Sequence, residues 1–294
     1  MAEIKIRRAF EKDKDRILEI SSKIWEGDDY IPFVLEEWLK NIDSEFVVAE
    51  FEGQIAGFAR YARYSEDFGW LEGIRTDPGF QNLGIGKVIT EYFINMAQKE
   101  GVKKLALSTY IDNRASIHII ESKGFVKTAS FMYFEHEIEQ GDLNPNEDFS
   151  YIEKICPEEA FEFIENSQFL NLSKGLIPAG WKFYPFELVK GKFKDKIEHI
   201  SGIRKEGKIS SLVCFSKSPE SDNYILLLFL DGQIEEMKRL LRYVLTNGKE
   251  HSFIATMVPG FHDKKAKALE VLKSYNFRTW NNFNEDTFLY IKEL

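Results

Sequence analysis

Cysteine is almost missing from this chain: Cys156 and Cys214 are the only two, far apart and outside any CxxC pair. That excludes a disulfide-stapled small fold and leaves two reduced thiols as the expectation. Histidine is scarce too, and His118, His136, His199, His251 and His262 form no HxxxH or HxH pair, so no metal is expected. Long apolar runs are absent. The longest, Tyr224–Leu230, is far too short to cross a bilayer, so no membrane partner is expected. The opening "MAEIKIRRAFEKDKDR" is too charged for a signal peptide, and a soluble, cytoplasmic protein is expected. An excess of positive charge is also lacking. The formal net charge of −9 argues against general nucleic-acid binding, while leaving room for a local basic patch facing one anionic cofactor.

What is present is ordinary globular material, 44% hydrophobic and 30% charged over 294 residues, enough for one large domain or two ordinary ones. Rings are abundant, with 25 Phe and 12 Tyr. The first half alternates in type. "IKIRRA" predicts a strand, and "EKDKDRILEISSKIW" an amphipathic helix with Ile17, Ile20 and Ile24 on one face. "EFVVAEFEGQIAGFARYARY" predicts a hairpin turning at Glu52–Gly53, and "GWLEGIRT" a further strand. "KVITEYFINMAQKEG" predicts a helix closed by Gly101, "KKLALSTY" a strand, "RASIHIIESKG" a helix ending at Gly124, and "ASFMYFEHEI" a last strand. This order is an α/β mixed sheet with helices on its faces.

Residues 139–150, "EQGDLNPNEDFS", break the pattern with polar, Gly, Pro and Asn residues and no periodicity. They predict a linker, so the division expected is 1–140, a linker over 141–150, and 151–294. The span Gln54–Phe125 reads strand, strand, helix, strand, helix, and Lys208–Phe277 repeats that order at similar length. Coincidence between two α/β stretches is the competing explanation. One difference stands out: the second span passes through Asp231–Gly232 straight into its helix, without a glycine-rich turn.

The first span has such a turn, "RTDPGFQNLGIGK", Arg75–Lys87. A nucleoside-triphosphate loop needs GxxxxGK[ST], but Gln81 stands five residues before Gly86 and Val88 follows Lys87. A dinucleotide fold needs GxGxxG, but Ile89 occupies the third glycine position. Gln81-Asn82-Leu83-Gly84-Ile85-Gly86 instead resembles the Q/R-x-x-G-x-G/A signature of the GNAT (Gcn5-related) N-acetyltransferase family, over roughly residues 4–138. "NRASIHIIESKGF", 113–125, resembles the second signature of that family, with Asn113 and Gly124–Phe125 in register.

The resemblance implies a GNAT fold in the first half and a degenerate GNAT-like domain without the turn in the second. It implies acetyl-CoA as cofactor, its pyrophosphate on the backbone N–H groups of Gln81–Lys87 and the following helix start, with Lys87 adding charge. It also implies that Asn113, with Ser116 near it, contacts the pantetheine arm, and that backbone N–H groups of Ile74, Arg75 and Thr76 polarise the thioester carbonyl. Glu72 stands where several relatives carry the glutamate that deprotonates the amine; the alternative is a strand residue paired with Arg60 or Arg75. The tyrosine acid of the family falls on Ile120, which donates nothing, so Tyr110, Ser116 or His118 are the substitutes. The segment 24–39, with Trp25, Asp28, Asp29, Tyr30 and Trp38, falls where the family has a wall of the acceptor site. With "WLEGIR" it resembles, more weakly, a subgroup that includes vertebrate histidine N-acetyltransferases. The expected partner is a small-molecule amine such as a free amino acid, with a dimer role possible for the second half. A non-catalytic acyl-CoA-binding or sensing module is the alternative.

Overall fold

Strand alternation at the start of the chain becomes a meander. In the computed structural model, which describes residues 3–142, 146–191, 197–218, 221–261 and 264–294, β1 (Ile4–Arg8) pairs antiparallel with β2 (Ser44–Phe51). β2 pairs with β3 (Gln54–Arg63), and β3 with β4 (Phe68–Thr76). Glu52 and Gly53, at φ 51° and 78°, turn the first hairpin, the paired left-handed geometry that a tight hairpin needs. Between β1 and β2 lie α1 (Lys14–Ser21) and α2 (Ile31–Lys40). α2 buries Ile31, Val34, Leu35 and Trp38, the spacing of one helical face.

The expected first helix is shorter than its periodicity suggested. Ile17 and Ile20 are fully buried, but the helix ends at Ser21 and Ile24 lies beyond it. The Ser22 hydroxyl donates to the Glu19 carbonyl, and Trp25 and Glu26 turn left-handed at φ 46° and 60°. β4 is followed by α3 (Ile85–Lys99), β5 (Lys104–Tyr110) and α4 (Arg114–Ser122). α3 starts two residues before the predicted Lys87, because Gly84 at φ 84° forms its N-cap.

The chain groups into two compact units. The first holds Met1–Thr109, Asn113–Lys127 and Tyr290–Leu294; the second holds Tyr110–Asp112 and Thr128–Leu289. The expected division near residue 140 therefore differs from the units, and the reason is strand pairing. β6 (Val126–Glu137) pairs antiparallel over Phe131–Glu137 with Pro259–Phe253. At the other end of the chain, Leu294 N–H donates to Lys103 O at 2.9 Å, and Tyr290 Oη donates to Glu121 Oε1 at 2.9 Å. Of the expected linker, Gln140–Asp142 forms a 3-10 turn, with the Asp142 carboxylate accepting from Glu139 N–H and held against His136; residues 143–145 lie outside the described residues.

In the second unit come β7 (Glu153–Lys154), α5 (Pro157–Glu165), α6 (Gln168–Leu172), β8 (Leu176–Ala179), β9 (Lys182–Pro185) and α7 (Phe186–Lys190). β10 (His199–Lys205), β11 (Lys208–Lys217), β12 (Tyr224–Asp231), α8 (Ile234–Asn247), β13 (Phe253–Phe261) and β14 (Lys264–Lys265) follow. α9 (Ala268–Ser274), β15 (Arg278–Thr279) and β16 (Thr287–Glu293) end the chain. The strand order here is β6-β13-β12-β11-β10-β7, over a core that includes Leu240, Leu241, Val244, Phe229 and Phe169. The hairpin before β11 turns at Glu206–Gly207, φ 50° and 77°, the same residues and geometry as Glu52–Gly53. From that turn onward, strand, strand, helix, strand, helix recurs in both units, so the repeated order in the sequence is a repeated order of folded elements.

Candidate functional site

The glycine-rich turn is held before its helix begins. Asp77 is buried and accepts from Gly79 N–H at 2.8 Å, from Arg16, and from Lys23 at 3.2 Å. Burial pushes the Asp77 carboxyl up, but these donors outweigh it and hold it below the usual carboxylate range. Downstream, Gln81, Asn82, Leu83, Gly84 and Lys87 are exposed, while Ile85 and Gly86 are buried. Asn82 and Gly84 both adopt left-handed backbone, at φ 65° and 84°.

The two glycines serve different needs. A Cβ on Gly84 would meet nothing within 4 Å, so this position needs conformation, not space. A Cβ on Gly86 would lie 3.3 Å from Ile119 Cδ1, so this glycine lets α3 and α4 approach. The first turn of α3 carries no acidic residue, and its basic side chain Lys87 is exposed. A 15-residue helix starting from such a turn presents N–H groups and positive dipole to an anion.

β4 leads into that turn and is broken from its neighbours on both sides. Toward β3, Phe58 pairs with Arg75 and Arg60 with Glu72, so β4 carries one extra residue, a bulge at Gly73–Ile74. Gly73 is left-handed at φ 63°, and a Cβ there would stand 2.6 Å from Trp38. Toward β5, the parallel ladder runs Phe68–Lys104, Gly69–Leu105 and Trp70–Ala106 and then stops, although β4 continues to Thr76. The strands part beyond Trp70 and Ala106, and Ile74, Arg75 and Thr76 further along β4 are half-buried.

Glu72 sits at the bulge. It is buried, and Arg60 Nη1 donates to its Oε1 at 2.5 Å. Arg60 is fixed in turn: its Nε donates to Ser44 Oγ at 3.0 Å and its guanidinium lies 5.1 Å from the Trp38 ring. Of the two partners open in the sequence, the structure places Glu72 with Arg60. Arg75 is engaged elsewhere, clamping Asp29 through Nε at 3.1 Å and Nη2 at 2.9 Å. Ser21 Oγ also donates to Asp29, and Trp25 and Tyr30 lie 4.3 and 5.6 Å from the Arg75 guanidinium. Asp29 is thus buried with both oxygens engaged, Asp28 is exposed, and Trp38 is core.

On α4, Asn113 is the N-cap, its Oδ1 accepting from Ser116 N–H at 3.3 Å. His118 is exposed and Ile120 buried. Tyr110 groups with the second unit, where its ring meets Trp280 edge-on at 5.7 Å. Burial, then Asp112 and Asp286, raise the Tyr110 hydroxyl above its ordinary value. Sequence reasoning missed the Gly73 bulge and the Asp77 anchor, although an isolated glycine within a strand and an Asp-Pro pair are signals for each.

The matching junction in the second unit is built the other way. A Cβ on Gly232 would collide with Ser211 Oγ at 2.2 Å, and that hydroxyl donates to Glu236 at 2.6 Å while accepting from Gln233 N–H at 2.9 Å. The first turn of α8 carries Glu235 and Glu236. Burial raises the Glu236 carboxyl, but Lys205, Ser211 and Ser210 together hold it below its ordinary value. The positive end of this helix already faces a carboxylate of its own chain.

A left-handed glycine turn at the start of α3 thus lies beside two parallel strands that part. Residues 13–125 match the model of the Acetyltransferase (GNAT) family. It is 28% identical over 114 residues to the streptothricin acetyltransferase of Streptomyces lavendulae, covering 38% of this chain and 58% of that enzyme. It is 36% identical over 73 residues to the [ribosomal protein bS18]-alanine N-acetyltransferase of Escherichia coli K12, covering 25% of this chain and 49% of that one. The chain thus spans about half the length of these curated relatives. In fold, a tandem GNAT protein from the clavulanic acid biosynthesis pathway matches 99% of this chain and 98% of its own, at TM-score 0.60 and 11% identity. Among the described residues, no three His, Cys, Asp or Glu side chains are grouped to hold a metal ion, and no helix is long and apolar enough to cross a membrane.

Proposed function

We propose that this chain is an acetyl-CoA-dependent N-acetyltransferase that transfers the acetyl group to a primary amine of a small molecule or amino acid, by direct attack in a ternary complex. The observation that carries this reading is the parting of β4 from β5 beyond Trp70 and Ala106, directly before the Gln81–Gly86 turn. In this reading residues 1–140 act as the cofactor-binding domain. The exposed turn residues and the start of α3 hold the pyrophosphate, Asn113 and Ser116 lie along the pantetheine arm, and acetyl-CoA supplies the thioester. N–H groups of Ile74–Thr76 polarise the carbonyl, and Glu72 takes the proton of the attacking amine. Trp25 and Tyr30 face the acceptor, and Asp29 acts by holding Arg75. Tyr110 or His118 returns a proton to the departing thiolate. Residues 151–294 do not bind acetyl-CoA, because the α8 start is filled by Glu236.

The Glu72–Arg60 pair favours a second reading, a module that binds acyl-CoA without turning it over, since the proposed base is already ion-paired. Thiol release from acetyl-CoA across an amine panel separates the two. Turnover of any primary amine supports the first reading; saturable acetyl-CoA binding without turnover supports the second. Within the first, Glu72→Gln is expected to lower kcat by roughly 10²–10⁴ while acetyl-CoA affinity stays within about twofold. A folded variant with full activity would remove Glu72 as the base.

A further inference from the structure

The turn between β4 and α3 is fastened at one residue. Gly79 N–H donates to Asp77 Oδ1 at 2.8 Å, and Phe80 N–H to the Asp77 carbonyl at 2.8 Å. Asp77 N–H donates in turn to Ala56 O of β3 at 2.9 Å. From Gln81 to Gly84 the chain is exposed, and Asn82 and Gly84 are left-handed, so burial does little to hold its shape. Its path is set by its two ends, Asp77 on one side and the first turn of α3 on the other.

Asp77 is only 3% exposed, so its charge must be met inside the protein. Arg16 and Lys23 both donate to its Oδ2, Lys23 at 3.2 Å. Arg16 is itself fixed: its Nε donates to Ile55 O at 3.1 Å, and its Nη1 pairs with Glu19 at 2.8 Å. Glu19 also pairs with Lys23 at 2.8 Å, so each cation stands between two carboxylates. The charges of Arg16, Lys23, Glu19 and Asp77 cancel. This cluster therefore adds no net field at the turn; what it adds is position. The two oxygens of Asp77 divide the work, Oδ1 capping the turn and Oδ2 holding it to α1. Asparagine would keep a capping oxygen but turn an amide donor toward two cationic donors.

We propose that Asp77 is a positioning residue for the pyrophosphate of the cofactor. Its ion pairs with Arg16 and Lys23 fix the direction in which the N–H groups of Gln81–Lys87 point, and hydrogen bonds weaken steeply when misaligned. Asp77 acts through the turn. This rests on the cofactor part of the acetyltransferase reading, which the non-catalytic module shares.

The test is calorimetric titration of the full chain with CoA and with pantetheine, which lacks the pyrophosphate, beside thermal melts without ligand. Asp77→Asn is expected to weaken CoA about tenfold, because charge-assisted hydrogen bonds lose their alignment. Pantetheine, which does not use the turn, is expected to stay within about twofold. Arg16→Gln, which leaves the Gly79 cap intact, is expected to weaken CoA in the same sense, and Arg16→Lys to restore part of it. Should Asp77→Asn fail to fold, the Arg16 pair decides by the same split. Equal losses of CoA and pantetheine overturn the proposal, since a loosened fold loses both ligands together. Unchanged CoA affinity in Asp77→Asn and Arg16→Gln also overturns it, while leaving the acetyltransferase reading intact. A wild-type chain that binds no CoA removes that reading, and this proposal with it.

Discussion

Asp29 grips Arg75 with both carboxylate oxygens, at 2.9 and 3.1 Å, while Trp25 covers the guanidinium 4.3 Å away. Only 11% of the Arg75 side chain and 1% of the Asp29 side chain remain exposed, so neither charge has water to fall back on. Removing one partner leaves the other buried and uncompensated. Arg75→Ala is expected to destabilise the protein by roughly 3–5 kcal/mol in urea unfolding. Trp25→Ala, which leaves the ion pair intact, is expected to cost only about 1 kcal/mol. Equal losses would mean that the pair adds little beyond packing.

Gly73 and Gly84 are both left-handed, but only Gly73 is also crowded, by the Trp38 ring. Gly73→Ala therefore combines backbone strain with a clash in the core, and an unfolding loss of about 3 kcal/mol or more is expected. Gly84→Ala carries strain alone, about 1–2 kcal/mol, and its larger expected effect is weaker acetyl-CoA binding because the turn N–H groups shift. Calorimetric titration beside thermal melts separates these effects. Gly84→Ala that melted as Gly73→Ala does would contradict the open space around Gly84.

Asp286 sets a pH dependence. Burial raises its carboxyl to about 6, opposed by Thr287 and by Tyr133 N–H. The folded state thus holds this proton more tightly than the unfolded chain, whose carboxyl ionises near 3.8. Below that value both states are protonated and no penalty exists. As pH rises to about 6 the unfolded chain ionises first and stability falls, by up to roughly 3 kcal/mol. Asp286→Asn is expected to flatten that part of the stability–pH curve. A wild-type slope that persists in the variant would assign it to another group.

The last five residues, Tyr290–Leu294, belong to the first unit. Tyr290 is buried and its hydroxyl donates to Glu121 at 2.9 Å, while Leu294 N–H donates to Lys103 O at 2.9 Å. Truncation after Leu289 is expected to lower stability by about 3 kcal/mol or more, since it removes a buried ring and the second half of β16. Tyr290→Phe, which removes only the hydroxyl, is expected to cost about 1 kcal/mol. A truncated chain that melts as the full one does would show that these residues are dispensable.

Sequence alone determined the local pieces: the helical face of Ile17 and Ile20, the Glu52–Gly53 hairpin, and the repeated order of elements in both halves. Short-range period and backbone preference fix these, because they depend on neighbours a few residues away. The glycine turn was legible for the same reason, as Gly84 is required by its own φ. Tertiary structure alone decided what each charged or aromatic side chain meets. Glu72 had Arg60 and Arg75 as equal candidates until the bulge at Gly73 set the register and left Arg75 to Asp29. Tyr110, Tyr133, Trp181 and Trp280 meet across 170 residues of chain, where loop closure and non-local strand pairing leave no period to read.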